Sequence, residues 1–580
     1  MAHDGPQLTP REREVLIALC RPVYSGEVYT EPASTREIAR ELFVSEAAVK
    51  QHLLRLYDKF GIYGDRGRRR LALANEALRH GFGGVEMPTE AGVDPLVLVE
   101  FGREAMTRRS WDEAFRSLSA ADSAGALSPA DLELLGEAAV WTDHHDQSID
   151  ARQRAHAAYL DAGAPTDAAR VAVALVPNHI ARLNMAAASG WFNKAKSLLD
   201  DVPESVAHGE LAAMTSLIQL ANGEIEPGLE SAMTAHRIGV QHANRDLIAL
   251  GLVFRGYALA RIGRLPESMA LLDEAMASAV AGELGPFATA MVYCRTICTC
   301  LDLFDFGRAA EWTELVRGVV DATGPVGVAG DCRTHQVAVQ IFRGEWADGV
   351  RDAELACGLS AVWDLNHTAI AQYELGELRR RLGDLDGAAE AFRLSHELGG
   401  VPHPGLALLW FANGDADGAA ASLEGALAGS QDPLVRIKLL PAQVEIAVAR
   451  GDLVIARLAA IEIDGIAERY GSGALRATAE MARGQVSLAS GDPKSAIRDF
   501  RASWRGWQDV GAPYEAAQAR FRLASALHAV GDAGSAVMEA ETAAAAFSRL
   551  GATPDVTRAE ELLAEWKKVA EGGNVDQEKV

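Results

Sequence analysis

Gly451, Gly491 and Gly531 stand 40 residues apart, and Gly471, Gly511 and Gly551 repeat that interval midway between them. Asp452, Asp492 and Asp532 follow the first series, while Gly511 and Gly551 fall in Asp509-Val510-Gly511-Ala512 and Arg549-Leu550-Gly551-Ala552. Turns at every 20th residue leave helices of about 14 to 17 residues in antiparallel pairs. The same punctuation recurs upstream at Gly223, Gly263, Asp305, Gly344, Gly383 and Gly414, with steps from 31 to 42, so the sequence predicts a long, irregular array. Within the units, Ala388-Ala389-Glu390-Ala391-Phe392 and Ala496-Ile497-Arg498-Asp499-Phe500 set a small residue four before an aromatic. The small side chain lets two helices approach while the ring fills the space beside it.

The front of the chain carries a different pattern. Thr9-Pro10-Arg11-Glu12 and Ser34-Thr35-Arg36-Glu37 each place a hydroxyl at N-cap and a glutamate at N3, the pair that satisfies orphan amides at a helix start. Helices are predicted from about Pro10 and Thr35. Ser45 then caps a longer amphipathic helix from Glu46 to Phe60, giving a helix, a tight turn and a second helix. Such a unit lays its second helix in the DNA major groove.

On that second helix Val49, Leu53, Leu56 and Phe60 share one face and point to a core. The opposite face carries Ala47, Lys50, Gln51, Leu54 and Arg55. Lysine and arginine suit phosphates or guanine, glutamine can pair with adenine, and alanine lets the backbone approach a thymine methyl. The amides from Ser45 to Ala47 favour a phosphate. Arg66, Arg68, Arg69 and Arg70 open a further predicted helix that runs to about Arg79, and they are read either as phosphate contacts or as a solvated basic face.

In these residues the chain resembles the LuxR/GerE type of bacterial helix-turn-helix regulator. The matching blocks are Leu8-Thr9-Pro10-Arg11-Glu12-Arg13-Glu14-Val15-Leu16, Arg36-Glu37-Ile38-Ala39-Arg40-Glu41-Leu42, Val44-Ser45 through Val49-Lys50-Gln51-His52-Leu53, and Lys59-Phe60-Gly61-Ile62. The resemblance implies that Lys50, Gln51 and Leu54 face the groove, the side the helical wheel also selects. Leu54 departs from the polar residue common there, and His52 is read as a backbone or packing contact, with a base reader as the alternative. The stretch Cys20–Ala33 is longer than the usual link between the first two helices, and Tyr24-Ser25-Gly26-Glu27 is read as a small hairpin turn within it. The repeats, about residues 96–570, are similar to tetratricopeptide arrays with an unusually long unit, a HEAT-like array being the alternative. Trp111-Asp112-Glu113-Ala114 and Gly511-Ala512-Pro513-Tyr514-Glu515-Ala516-Ala517 also resemble the helical-repeat regions of large LuxR-type regulators. In those proteins the DNA-binding head is usually C-terminal and an ATPase module often precedes the repeats; here the head is N-terminal.

Charge separates the two parts. Residues 1–82 hold 13 Lys+Arg against 11 Asp+Glu, a net of +2, and from Ser45 to His80 the balance is 8 against 4. The whole chain is −24, so the remainder is −26. A field of that sign repels nucleic acid, but only nearby, because charges are screened beyond about 8 Å at physiological salt. Gly83 to Pro95 reads as a Gly/Pro-rich linker with a coil-like span of roughly 20 Å. The predicted organisation is an all-α chain: residues 1–82 a LuxR/GerE-like helix-turn-helix domain, 83–95 a linker, 96–570 a TPR-like α-solenoid and 571–580 a disordered tail.

Other function classes find no support. Only nine lysines occur and none stands in Gly-x-x-x-x-Gly-Lys-Ser/Thr, which excludes a P-loop. There is no His-Glu-x-x-His, no Gly-x-Ser-x-Gly and no strand-rich region outside the stretch near Tyr24, so no enzyme, cofactor or metal is expected. In Cys294-x-x-x-Cys298-x-Cys300, with Cys332 and His335 further on, Cys300 lies about 200° round the helix from Cys298. Three such ligands do not converge without a break, and small buried thiols in helix packing are the default reading, with a redox or metal site as the alternative. His144-His145-Asp146 is read as an inter-helix loop. Six cysteines without even spacing, no charged n-region before an apolar run and no long apolar span predict a cytoplasmic protein with no membrane segment. Forty-seven arginines against nine lysines, with abundant alanine, suggest a GC-rich bacterial genome.

The sequence therefore predicts a transcriptional regulator that binds double-stranded DNA through residues 1–82. Its array takes a protein, peptide or small-molecule effector. The few contacts available to one head imply two heads on a split site, hence a homodimer. The competing expectations are an interaction scaffold whose helix-turn-helix contacts protein, and a regulatory subunit of an enzyme.

Overall fold

The computed structural model describes residues 9, 12, 15, 16, 18, 19, 33–41, 46–60, 62, 70, 73, 94–323, 326–360 and 364–577, and at 41, 46–48, 58, 317–323, 326–332, 359–360 and 569–577 it describes the backbone alone. The chain divides into two compact units, Met1–Leu98 and Val99–Val580. Among the described residues 27 helices occur and no strand, which is the all-α helix-turn-helix and α-solenoid class the sequence predicts. No helix among them is long and apolar enough to cross a membrane.

In the first unit the described positions from Glu12 to Leu19 are helical, followed by the helices Thr35–Glu41 and Glu46–Lys59. Val15, Leu16, Leu19, Ile38, Val49, Leu53, Leu56 and Leu73 form one core, against which Tyr57, Phe60 and Ile62 lie partly buried. The apolar stripe read from the sequence is the face that enters it. Ala33 N donates to Leu19 O at 3.0 Å, so the long link between the first two helices leaves and returns at one point. The hairpin expected near Tyr24 and the linker from 83 to 93 lie outside the described residues.

The second unit is a succession of helical hairpins, most helices 13 to 18 residues long. Gly451, Gly471, Gly491, Gly511, Gly531 and Gly551 all have φ between 67° and 86°, the left-handed conformation that ends one helix and turns the chain into the next. The array is more regular than its glycines suggest. Left-handed residues fall at Asp143, Leu183, Gly223, Gly263, Phe304, Gly344 and Gly383, in steps of 39 to 41. Arg109 and Ala243 take the same conformation. Five such turns thus lack glycine, at roughly 1–2 kcal/mol each, and escape a search for glycine. The irregularity that does exist is local: the helix Gly405–Ala412 has only 8 residues, which brings Gly414 forward. His144-His145-Asp146 lies just after the Asp143 turn, with His145 opening the helix His145–Asp161. The last helix, Thr553–Gln577, runs past residue 570.

Close approach of paired helices explains the small-residue pattern. Ala388 and Phe392, like Ala496 and Phe500, are fully buried. A Cβ added at Gly376 would stand 2.6 Å from the Phe392 ring, and one at Gly484 would stand 2.6 Å from that of Phe500. Each ring therefore occupies the volume of a missing side chain on the preceding helix. Elsewhere Arg152, Leu220 and Leu272 fill the space over Gly136, Gly228 and Gly256, and a buried serine bonds each glycine carbonyl: Ser148 donates to Gly136 O at 2.7 Å, Ser216 to Gly228 O at 2.7 Å and Ser268 to Gly256 O at 2.6 Å.

Repeats far apart in sequence also touch. Tyr470 Oη donates to Arg261 O at 2.9 Å across 209 positions, and Arg261 reaches Asp432 at 2.7 Å across 171. Lys438 Nζ bonds Asp302 at 2.6 Å, and Arg381 Nη1 bonds Glu515 at 3.3 Å. Contacts at separations of roughly three to five 40-residue units mean that the winding array braces against itself.

Candidate nucleic-acid interface

Both predicted capping boxes form. Thr9 N donates to Glu12 Oε2 at 2.8 Å and Glu12 N to Thr9 Oγ1 at 3.3 Å; Ser34 N donates to Glu37 Oε2 at 2.7 Å and Glu37 N to Ser34 Oγ at 3.3 Å. The second box fixes where the helix Thr35–Glu41 begins and so where the turn before Glu46 falls.

Glu12 does more than cap. It is 2% exposed, and its Oε2 also accepts from Lys59 Nζ at 2.7 Å, tying the end of the helix Glu46–Lys59 to the start of the first. The bonds from Lys59 and Thr9 hold its pKa down at about 2. Since this lies below the usual glutamate value of about 4.3, the ionised form stabilises the fold, in full above about pH 4.5 and progressively less as pH falls toward 2. Glu12→Gln is expected to cost the head about 1–3 kcal/mol at neutral pH and far less near pH 2. Amide exchange along Glu46–Lys59 in the full chain would read this as lost protection; unchanged protection at pH 7 refutes the tie. Sequence reasoning identified the cap and missed the tie, because the Lys59 partner is 47 positions away. The signal it offered was a capping glutamate flanked by a core stripe.

On Glu46–Lys59 the side opposite the core is open. Lys50, Gln51, Leu54 and Arg55 are all exposed, Leu54 by 57%. These four of the predicted site residues therefore share one accessible flank. Ala47 lies in the same helix, described by its backbone alone. Ser45, Arg66, Arg68 and Arg69 lie outside the described residues. Arg70, the last of the basic run, is half-buried and donates from Nη1 to Ala33 O at 3.3 Å, closing the link between the first helices. His52 is half-buried on the flank's edge, and its buried Nδ1 finds no hydrogen-bond partner among the described residues.

Two exposed cations, an amide and an apolar side chain on a rigid helix, with the opposite stripe locked in a core, can meet phosphates and base edges without rearrangement. Residues 6–68 match the family model for GerE, "Bacterial regulatory proteins, luxR family". The spore germination protein GerE of Bacillus subtilis (strain 168) is 39% identical over 59 residues, which are 10% of this chain and 66% of that protein. The chain thus spans just under two thirds of that relative. Solved structures similar to the chain include the APC/C hetero-tetramer Cut9-Hcn1, with 12% identity, a TM-score of 0.32 and coverage of 81% of this chain and 97% of that one. The yeast Tom70 gives 14% identity, a TM-score of 0.30 and coverage of 83% and 96%. Residues 6–68 form a LuxR/GerE-type helix-turn-helix domain.

Proposed function

We propose that the chain is a DNA-binding transcriptional regulator whose helical array receives a protein, peptide or small-molecule effector and controls the head. The observation that carries the reading is the exposed flank of Glu46–Lys59, where Lys50, Gln51 and Arg55 stand together on the side turned from the core. Lys50 and Arg55 supply phosphate or guanine contacts and Gln51 an adenine contact. Ser45, Ala47, Arg66, Arg68 and Arg69 are assigned to the same surface, the first two at the helix N-terminus and the arginines as phosphate contacts. One head offers few contacts for specific binding at physiological salt, so two copies on a split site complete the reading. The acidic body, at −26, adds no duplex affinity of its own and leaves recognition to the head.

A second reading, an interaction scaffold, draws on Leu54, which places 57%-exposed apolar surface in the middle of the flank. Selection from a pool of random duplexes by the full chain separates the two. A regulator enriches one recurrent motif, in paired half-sites if two heads act. Enrichment no better than that of an unrelated acidic protein refutes DNA reading and leaves the scaffold.

A further inference from the structure

Three consecutive hairpins place a different chemistry together. The helix Pro286–Asp302 carries Cys294 and Cys298, the helix Val326–Arg343 carries His335, and His367 lies in the first turn of the helix Leu365–Leu382. Cys294 and Cys298 are one turn apart and share a face. Cys298 Sγ lies 2.9 Å from His335 Nε2, and Cys294 Sγ lies 4.0 Å from His367 Nε2. The sulfurs of Cys294 and Cys298 and a ring nitrogen of His335 all fall within 4.8 Å of one another. The His335 and His367 rings meet edge to face, 6.5 Å between centroids.

We propose that Cys294, Cys298, His335 and His367 form a four-ligand site for a zinc-class divalent cation. Two sulfurs and two imidazole nitrogens are the donor set of a tetrahedral, borderline-soft ion. With metal–sulfur bonds near 2.3 Å and metal–nitrogen bonds near 2.0 Å, neighbouring ligand atoms in such a site stand about 3.3–3.8 Å apart; the 2.9 and 4.0 Å contacts bracket that range, and His367, outside the group of three that lies within 4.8 Å but 4.0 Å from Cys294, closes on the ion as the fourth ligand. Asp364 supports the fourth ligand as a positioning residue. Its Oδ2 meets His367 Nδ1 at 2.8 Å while its Oδ1 accepts from His367 N at 2.9 Å. The carboxylate thereby fixes which ring nitrogen faces the thiols, the arrangement that orients metal-bound histidines.

Binding breaks two S–H bonds, releases both protons to solvent and forms two metal–sulfur and two metal–nitrogen bonds, with no change of oxidation state. The dication balances the two thiolates within the four-ligand set. The packing-thiol expectation fits Cys300, which is fully buried in the apolar core with Ile297 and Ala309. It considered Cys300 as a ligand alongside the other two cysteines, whereas the remaining ligands come from neighbouring repeats. Occupancy would clamp three successive repeats and couple cation level to the geometry of the array.

The test is cobalt titration of the untagged, reduced, chelator-treated full chain. One equivalent should bind with a sulfur-to-cobalt charge-transfer band and tetrahedral visible bands, and zinc should bleach both. Cys298→Ala and Cys294→Ala should each remove about half of the charge-transfer intensity. Asp364→Asn should weaken affinity about 10–100-fold with band positions kept, an outcome that simple misfolding does not produce. Cys300→Ala should change nothing. Absence of saturable cobalt uptake by the natural chain overturns the proposal, with no variant needed. A wild-type spectrum and stoichiometry in Cys294→Ala/Cys298→Ala also overturns it, as does one in His335→Ala/His367→Ala. The result is independent of the head, since a chain that takes up cobalt here and ignores DNA refutes only the regulator.

Discussion

Replacing Lys50 and Arg55 together by alanine is expected to lower affinity for the selected duplex by about 30- to 1000-fold. Each removed phosphate or base contact costs about 1–2 kcal/mol, and two make about 2–4 kcal/mol. The salt dependence discriminates what the cations do. A phosphate contact releases a condensed counterion, so the slope of log affinity against log salt should fall by about one for each cation lost per head. A guanine contact instead relaxes preference at one position of the motif. Both residues are exposed and outside the core, so the variant should keep wild-type stability within about 0.5 kcal/mol. Arg70→Ala makes a poor comparison, because its guanidinium bonds Ala33 O at 3.3 Å inside the domain. Gln51→Ala should leave the salt slope unchanged while weakening the preferred motif, since a neutral amide releases no counterion. Unaltered affinity in Lys50→Ala/Arg55→Ala means that the duplex lies elsewhere.

Much of the head was legible because its determinants are local. A capping box spans four residues and an amphipathic stripe repeats every turn, so Thr9, Ser34, Val49 and Leu56 announce their roles from nearest neighbours. The array was legible in period for the same reason, wherever a turn used glycine. It was illegible where Asp143, Leu183 or Phe304 adopts the same left-handed backbone, since residues other than glycine take that conformation too rarely for the sequence to announce it. Partnerships across repeats were illegible altogether. Cys294 and His367 are 73 positions apart, and Glu12 and Lys59 are 47; only the stacking of helices decides that these meet. Spacing within one helix could test whether Cys294, Cys298 and Cys300 converge, and it correctly separates Cys300 from the other two. It holds no information on a ligand delivered by the next hairpin.

The same long-range logic gives Asp302 a large expected effect. It ends the helix Pro286–Asp302, where the helix dipole disfavours a negative charge. Burial opposes its ionisation too, yet Lys438 and Arg261 more than offset this and hold its pKa below the ordinary aspartate range. Its side chain is 17% exposed and Arg261's is 11%, so solvent does little to screen the pair. Asp302→Ala is therefore expected to cost about 2–3 kcal/mol, chiefly by taking from the buried Arg261 one of its two carboxylates, which leaves it Asp432, and from the half-exposed Lys438 its bond to Asp302. By contrast Glu267→Ala, which breaks an ion pair more than half exposed at both ends, should cost under about 1 kcal/mol. Since the folded pKa is lowered, the Asp302 contribution is present above about pH 4 and disappears on acidification, so the two variants should converge at low pH. A linear array unfolds as the sum of its neighbouring interfaces, but Arg261, Asp302, Asp432 and Lys438 join segments up to 171 positions apart. Losing Asp302 should accordingly broaden the denaturant transition or split it, as well as shift its midpoint. A transition that shifts without broadening would mean that the brace stabilises only its own repeat, and that the long-range bonds around Arg261 do not couple distant parts of the solenoid.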